Sequence, residues 1–354
     1  MTDRTRMLPQ SPFGWTVLGA SALLLAALPF FVTPYYVGLV TTAMTGAMLA
    51  LSLHVLVGAT GLVSLGHGAF YGLAAYVVFW LSPEGNPRPI WVTLPAAMAM
   101  AGLASLVVGA LSLRTKGFFF LMVTLAFGQM IFFVFHDTKL GGGTDGAYLA
   151  KPLLQAFGLT IDPKDLPRAQ RSWPAYYVAL AQLVLIYLFL AFLLRSLFGR
   201  VLEGIRVNEH RMAAMGYNTN GYKLAAFVIA GTLAGAAGHM WSLHTGFVNP
   251  ELVGWHKSAE ALLMILLGGI GSLAGAIVGA FAYVALGEAA QLVTERKLLV
   301  EGLVILAAVL VLRNGITGLW GAVPVMPAAK ESPAQGFDNA GPSLSSSERG
   351  GGSD

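Results

Sequence analysis

The chain has 354 residues, of which 56% are hydrophobic and only 11% are charged. Soluble domains carry about 25% charged residues, so this chain has too few polar side chains to cover a water-facing surface. Cysteine is absent, which excludes disulfides and thiolate metal sites. The net charge of +4 suits a lipid bilayer with anionic headgroups, and no basic run with interleaved aromatic residues points to nucleic acid. The composition therefore predicts an integral membrane protein.

Apolar stretches of membrane-spanning length recur along most of the chain. A helix needs about 20 largely apolar residues to cross about 30 Å of hydrocarbon. The segment 1–12 is predicted to be a cytoplasmic tail, and a transmembrane domain is predicted over 13–323. Within it we expect about eight full crossings, at 13–33, 36–57, 61–81, 90–113, 117–135, 175–197, 223–244 and 297–313. The predicted fold class is an all-α polytopic membrane protein.

The third predicted crossing contains the stretch GLVSLGHGAFYGLAAY (61–76), which is unusually rich in small residues. Ser64, Gly68 and Gly72 are spaced by four and share one face of the predicted helix. Such rows let helix backbones approach closely in lipid, and a helix that lines a path for solute would also need small side chains. His67 lies inside the stretch, and both a packing role and a contact with passing solute remain open for it.

The stretch 198–223, which follows the sixth predicted crossing, is amphipathic. Its middle can form a helix, in which the apolar residues Val201, Leu202, Ile205 and Met212 share one side. Gly216 supplies a stop signal. Two interpretations fit this pattern. The apolar side can dock into a groove of a partner protein, or it can rest on the lipid headgroups.

The segment 258–287 is long for one helix and short for two. Non-helical backbone at membrane depth is tolerated where protein or a water-filled cavity covers it. We therefore predict two short helices, re-entrant or sharply kinked, that raise the count to between eight and ten spans. The alternative is one long tilted helix. The predicted break consists of Gly268, Gly269, Gly271 and Ser272.

Lysine and arginine residues in the loops indicate the orientation of the chain. The N-terminal tail, the turn between the fourth and fifth crossings and the loop 198–223 are basic. They fall on the cytoplasmic side if the N-terminus is cytoplasmic and 258–287 does not cross. In this orientation the long loop 136–174 is periplasmic. The tail 324–354 is rich in Pro, Ser and Gly and is predicted to be disordered.

The sequence contains no motif for using ATP or for catalysis. It lacks a phosphate-binding loop and any Gly-Lys dipeptide, so ATP would have to be bound by another subunit. No pairing of a nucleophile with a base and no metal-ligand spacing stands out. We therefore expect a protein that is not an enzyme and holds neither a metal ion nor a cofactor of its own.

Several motifs resemble, in matching order, those of permeases in the branched-chain amino acid ABC importers, specifically the LivM-like half of the pair. This family also includes urea-type permeases. The similarity runs from residue 36 to 320. Its motifs are GLVSLGHGAFYGLAAY (61–76), KGFFFLMVTLAFGQMI (116–131), GGGTDG (141–146), GRVLEGIRVNEHRMAAMGYNTNGYKLAAFVIAGTLAGAAG (199–238), GFVNPE (246–251) and LLGGIGSLAGAIVGA (266–280).

The resemblance implies an importer permease in the cytoplasmic (inner) membrane of a bacterium or archaeon. It implies a heterodimer with a second homologous permease and two further subunits that bind ATP and Mg²⁺. A periplasmic or lipid-anchored binding protein would deliver the substrate. The segment 206–217 corresponds to the helix that docks on the ATPase, which gives the coupling residues Arg206, Glu209, Arg211, Met215 and Gly216.

The motif positions, together with the small and polar residues of the third and fifth predicted crossings, define a candidate substrate path. It comprises Ser64, Gly66, His67, Gly68, Thr124, Gln129, Thr144 and Asp145. The solute stays open, because family members carry branched-chain amino acids, urea, amides or organic acids. The alternative function is a stand-alone secondary transporter or channel, for which a broken helix in 258–287 would also be suitable.

Overall fold

The chain is almost entirely helical in the residues that its computed structural model describes, namely 12–83, 87–150, 154–156, 159–161, 167, 170–293, 302 and 315–318. Four strands of two or three residues form two small sheets. The all-α fold predicted from the sequence is confirmed. The helices are α1 (Pro12–Ala27), α2 (Pro34–His54), α3 (His67–Leu81), α4 (Ile90–Ser112), α5 (Phe118–Asp137), α6 (Trp173–Arg195), α7 (Leu197–Val207), α8 (Glu209–Ala214), α9 (Thr219–Thr245), α10 (Trp255–Gly268), α11 (Leu273–Val293) and α12 (Gly315–Gly318).

Six of the described helices are long and apolar enough to cross a membrane. Five coincide with predicted crossings, and the sixth lies at 273–291. The predicted crossings at 13–33 and 61–81 correspond to shorter apolar helices. Apart from Gly302, the one at 297–313 lies outside the described residues, as do 1–11 and 324–354. The six spans are Pro34–Thr60, Ile90–Ser112, Phe118–Asp137, Trp173–Arg195, Thr219–Thr245 and Leu273–Gln291.

The prediction of one continuous helix over 61–81 is wrong in its first part. α2 ends in a π-helical turn at Val55–Thr60, and helix α3 begins only at His67. The residues between them are not helical. Ser64 therefore does not share a helix face with Gly68. Serine and glycine at these positions disfavour helix, and the buried contacts that stabilise a non-helical path here come from distant parts of the chain.

The break predicted within 258–287 is confirmed, but only the first of its two helices is short. α10 ends at Gly268, and Gly269 has a φ of 109°, which ordinary side chains rarely adopt. Gly271 lies within the break, and the Ser272 hydroxyl accepts a hydrogen bond from the Gly275 N–H at 2.9 Å as α11 begins. α11 then continues for 21 residues, enough to cross a membrane.

The α10–α11 hairpin is closed by glycine contacts. A Cβ atom built on Gly268 would lie 1.8 Å from the carbonyl oxygen of Gly275. At its other end, α11 reaches the beginning of α2, where the Tyr35 hydroxyl donates to Glu288 at 2.6 Å. The far end of α11 thus lies at the same end of the bundle as the start of α2.

α2 is the central helix of the bundle. In its crossing segment 83% of the residues are buried, compared with 22% in that of α5, and α2 packs against α6, α9, α10 and α11. Its buried hydroxyls bond to carbonyl groups of their own helix. Thr41 donates to Val37, and Ser52 donates to Leu49.

Short strands link the connections at one end of the bundle. In the long loop after α5, β1 (Ala147–Tyr148) pairs antiparallel with β4 (Phe247–Val248), which follows α9. β2 (Leu154–Ala156) and β3 (Leu159–Ile161) form a second antiparallel pair within the loop. The ladder between β1 and β4 joins two connections that are separated by a hundred residues in the sequence.

The position of α9 depends on glycine where it crosses α3. A Cβ atom on Gly238 would lie 1.9 Å from the carbonyl oxygen of Tyr71, a backbone atom that cannot move aside cheaply. We predict that Gly238→Ala lowers the melting temperature in detergent, since overpacking costs about 1–3 kcal/mol. Gly19→Ala in α1 is the control, because nothing lies within 4 Å of a Cβ atom there. Equal melting temperatures for the two variants would contradict the close crossing.

Candidate functional site

The non-helical segment 61–66, which joins α2 to α3, forms the centre of the candidate site. Side chains satisfy its backbone groups. The Leu65 N–H donates to Thr124 Oγ1 at 3.3 Å, and the Gly66 N–H donates to Ser64 Oγ at 3.3 Å. Ser64 and Thr124 are completely buried. Because an unpaired backbone group is costly away from water, these two hydroxyls stabilise the non-helical path.

Two glycines allow the segment to contact its neighbours closely. A Cβ atom on Gly66 would lie 2.5 Å from the carbonyl oxygen of Thr124, and one on Gly68 would lie 2.7 Å from that of Gly254. The Gly68 N–H also donates to Ser258 Oγ at 2.7 Å. The start of α3 is thus packed between α5 and α10. The packing role expected for the small residues is confirmed at Gly68, and Gly66 packs in the same way.

His67 is the first residue of α3 and is completely buried. Its ring makes edge-on contacts with the rings of Phe70 and Phe227, at centroid distances of 5.7 and 6.5 Å. In this chain the imidazole is therefore part of an aromatic cluster. A contact between His67 and a passing solute stays a prediction.

The remaining path residues are not all close to this segment. Gln129 is half-buried on α5, next to Gly128, which packs against Gly66. Thr144 and Asp145 lie in an exposed turn beyond the other end of α5 and contact each other at 3.4 Å. The 13 residues from Thr124 to the end of α5 span about 20 Å. The predicted path residues thus form two groups rather than one site.

The amphipathic stretch after α6 forms two helices, and its apolar side faces inward. Leu202 and Ile205 of α7 are buried against the chain's own helices. The interpretation that this apolar side docks into a partner is therefore wrong, because intramolecular packing already covers it. The exposed apolar side chains flank α8: Val207 (73% exposed) ends α7, and Met215 (64%) and Tyr217 (39%) follow α8.

α8 is anchored at its first residue. Its N-cap is Asn208, whose side chain accepts a hydrogen bond from the Arg211 N–H at 2.9 Å. Glu209 forms an ion pair with Lys223 of α9 at 2.6 Å. Burial alone would raise the pKa of Glu209, but the hydrogen bond and charge of Lys223 outweigh this effect and lower the pKa below its ordinary value.

The other coupling residues differ in their surroundings. Arg211 is exposed, and Gly216 ends the α8 region with a φ of 89° and no atom within 4 Å of a Cβ position. Arg206 instead turns back into the chain, where its guanidinium donates to the carbonyl oxygen of Gly58 in the π-helical turn. Two of the five predicted coupling residues, Arg206 and Glu209, thus bond through their side chains to other parts of the chain itself.

The sequence analysis missed an ion pair at the start of α10. Lys257 Nζ lies 2.7 Å from Glu260 Oε2, and the side chains are 23% and 32% exposed. The ammonium group also lies 5.5 Å from the ring centroid of Trp241 on α9, a cation–π contact. Opposite charges three residues apart, at the edge of an apolar segment, were the available signal.

Within the described ranges, no group of three or more His, Cys, Asp or Glu side chains comes together as a metal site. The buried charges near the candidate site occur as ion pairs. What the site offers is close helix packing around a segment of non-helical backbone, an arrangement that can change shape.

We predict that Lys257 and Glu260 stabilise the fold together and that removing the charge of either one alone destabilises it. Lys257→Met or Glu260→Gln alone leaves an unpaired charge in largely apolar surroundings. Each single variant should therefore melt at a lower temperature than the double variant, with a coupling energy of about 0.5–3 kcal/mol. Asp137→Asn is the control, because Asp137 and its partner His136 are exposed. Additive effects of the two substitutions would show that the charges do not interact.

We also predict that the Glu209–Lys223 ion pair contributes stability at neutral pH and loses it in acid. A carboxyl group with a lowered pKa stabilises the folded state above its ordinary pKa, 4.5 here, and this contribution disappears as the pH falls through the lowered value. Glu209→Gln should cost about 1 kcal/mol or less at pH 7, measured by thermal melting, and nothing in strong acid. Glu203→Gln is the control, because Glu203 is exposed on the polar side of α7. A pH-independent difference would rule out the ion pair as the cause.

Known proteins are similar to this chain over most of its length. The family described as "Branched-chain amino acid transport system / permease component" matches residues 35–309. The high-affinity branched-chain amino acid transport system permease protein LivM of Escherichia coli K12 is 33% identical over 305 residues, which cover 80% of this chain and 70% of LivM. LivM of Salmonella typhimurium is 32% identical over the same shares.

A second kind of relative matches with lower identity. LivH of Salmonella typhimurium, another permease protein of a branched-chain amino acid transport system, is 25% identical over 297 residues, covering 79% of this chain and 93% of LivH. No solved structure matches the chain. The family match over most of the chain, the LivM relatives and the six apolar helices lead to one conclusion: the chain is a multi-pass membrane protein that belongs to the branched-chain amino acid transport system permease family.

Proposed function

We propose that the chain is the transmembrane permease subunit of an ABC importer in the inner membrane of a bacterium or archaeon. It forms half of a translocation path for branched-chain amino acids or a related small organic solute. The other half comes from a second homologous permease. Two separate subunits bind ATP and Mg²⁺, and a periplasmic or lipid-anchored protein delivers the solute. The chain itself is not an enzyme.

The observation that carries this proposal is the exposed surface of α8. Met215 is 64% exposed and Tyr217, whose ring also contacts that of Tyr222, is 39% exposed. The exposed Arg211 lies four residues before Met215. Met, Tyr and Arg are enriched in protein–protein interfaces. The base of α8 is held by Asn208 and Glu209. A helix anchored at one end and exposed along its length is suited to docking on a partner and passing on its motion.

The energy source must come from that partner. The chain has no phosphate-binding loop. Coupling then requires that the ATP-loaded and ATP-free forms of the partner bind two conformations of the permease with different affinities. On the permease side, the segments 61–66 and 269–272 connect packed helices and are not themselves α-helical.

The relatives named above belong to branched-chain amino acid transport systems. Their similarity supports the same class of solute here. The candidate path is largely apolar around His67, with Ser64 and Thr124 as its buried hydroxyls. Such surroundings suit a small solute with an apolar side chain. Much of the selectivity belongs to the binding protein, which is a different chain.

The second candidate is a stand-alone secondary transporter. The break between α10 and α11 favours it, because discontinuous helices form the solute and ion sites of many secondary transporters. The two candidates differ in one property that can be measured directly. The importer is inactive without its ATPase subunits, whereas a secondary transporter takes up solute alone.

We predict that Met215→Asp, at the C-cap of α8, weakens the binding of the ATPase subunits. The test is co-purification of the tagged permease with its candidate ATPases, followed by ATP hydrolysis with and without a leucine-loaded binding protein. The native chain should retain both ATPase subunits, and the leucine-loaded binding protein should stimulate their ATP hydrolysis. Met215→Asp should weaken retention about tenfold or more, as expected for a central interface residue. Arg200→Glu, on the exposed side of α7, is the matched control.

Each alternative outcome has a definite meaning. Retained ATPases without stimulation by leucine would keep the importer and exclude leucine as its solute. Absence of ATPases, together with solute uptake by the permease alone, would establish the secondary transporter. If the Met215→Asp and Arg200→Glu variants retain the ATPase subunits equally well, the docking surface is not at the end of α8.

A further inference from the structure

The end of α2 is not a regular helix terminus. The residues that continue it, Val55–Thr60, form a π-helical turn. The chain then passes through Gly61, which has a φ of 73°. Carbonyl groups in the last turn of a helix have no intrahelical partner and attract donors and positive charge. π-Helical turns of this kind frequently occur at functional sites. The end of α2 therefore needs a donor from another part of the chain.

Arg206 supplies that donor. Its guanidinium donates a hydrogen bond to the carbonyl oxygen of Gly58, a residue 148 positions earlier in the chain. The aliphatic part of the side chain passes over Gly61, where Cγ lies 3.5 Å from a Cβ position. A charged donor on a carbonyl group forms one of the stronger hydrogen bonds in proteins. One side chain thus contacts both the π-helical turn and the glycine that ends it.

Arg206 is also next to the docking helix. It lies in the last turn of α7, two residues before Asn208, which caps α8. Ile205, its neighbour on α7, is buried in the bundle. A displacement of α8 therefore acts at the C-terminal end of α7, where Arg206 is attached.

The other end of this contact leads to the candidate path. From Gly61 the chain enters the non-helical segment, where the Leu65 N–H is bonded to Thr124 of α5. Two residues after that segment, the Gly68 N–H is bonded to Ser258 of α10. A continuous series of hydrogen bonds and covalent links thus runs from α8 through Arg206 to α5 and α10.

We propose that Arg206 is a positioning residue that transmits the movement of α8 to the end of α2 and to the segment 61–66. In this role it contacts its own chain and not the ATPase. The inference rests on the proposed function, because it concerns the coupling of ATP hydrolysis to transport. It separates Arg206, which is exposed but bonded to Gly58 of its own chain, from Arg211 and Met215 of the docking surface.

The experiment uses the complete reconstituted transporter with Arg206→Met, which removes the donor and retains the aliphatic stem. Retention of the ATPases and stimulated ATP hydrolysis should persist. The amount of solute taken up per ATP should fall about tenfold, within the usual range of coupling between sites. Arg206→Lys, which keeps the charge and a donor, should restore part of this ratio. Arg200→Met, at an exposed position of the same helix, should leave it unchanged.

A second measurement reports on the segment directly. The chain has no cysteine, so spin labels at Leu62→Cys and Met130→Cys can be introduced without removing native thiols. In the otherwise native chain the distance between them should differ between the nucleotide-free and ATP-loaded complexes. With Arg206→Met this difference should disappear. If Arg206→Met cannot be purified, Arg206→Gln, which removes the charge, allows the same comparison.

The outcomes separate this inference from the proposed function. Loss of the ATPases in Arg206→Met would make Arg206 a partner contact and overturn the inference. An unchanged ratio of uptake to hydrolysis, or a label distance that never changes in the native chain, would also overturn it. If the native chain does not bind ATPases at all, the proposed function itself fails.

Discussion

The structure depends on one constraint, which is that backbone N–H and C=O groups inside an apolar bundle must find partners within the protein. Helices satisfy it automatically, and most of the chain is helical. Where the helices stop, side chains of distant residues form hydrogen bonds with the backbone groups. Thr124 accepts from the segment 61–66, Ser258 accepts from Gly68, and Arg206 donates to Gly58. The exceptions to helical structure thus identify the residues that link the parts of the bundle.

The same constraint explains why glycine is common at these places. A side chain can bond to a backbone group of another segment only if the two segments approach closely. A Cβ atom at Gly66 or Gly68 would contact a carbonyl oxygen of the neighbouring segment. Small residues therefore serve packing and backbone satisfaction together. A larger residue would push the donor away from its acceptor, so a steric change at either position also has an electrostatic cost.

The sequence predicted those features that depend on local pattern. Apolar length predicted most of the long helices, and the cluster from Gly268 to Ser272 predicted the break before α11. It did not predict the non-helical path at Ser64, because the hydroxyl of Thr124 that stabilises this path lies 59 residues beyond Leu65. It left the apolar side of α7 open to a partner or to the lipid headgroups, since amphipathicity shows only that one side is covered. Whether Leu202 faces a partner or its own chain depends on tertiary packing.

The central position of α2 has a consequence for biosynthesis. The helices that enclose it, α6, α9, α10 and α11, are all synthesised later, so α2 enters the membrane before its partners exist. A hydroxyl group that needed one of those partners would be exposed to hydrocarbon during this interval. Those of Thr41, Thr45 and Ser52 donate to carbonyl groups of α2 itself, so they are satisfied from the moment the helix forms. In this central helix, the three buried hydroxyls therefore do not depend on the helices that are inserted later.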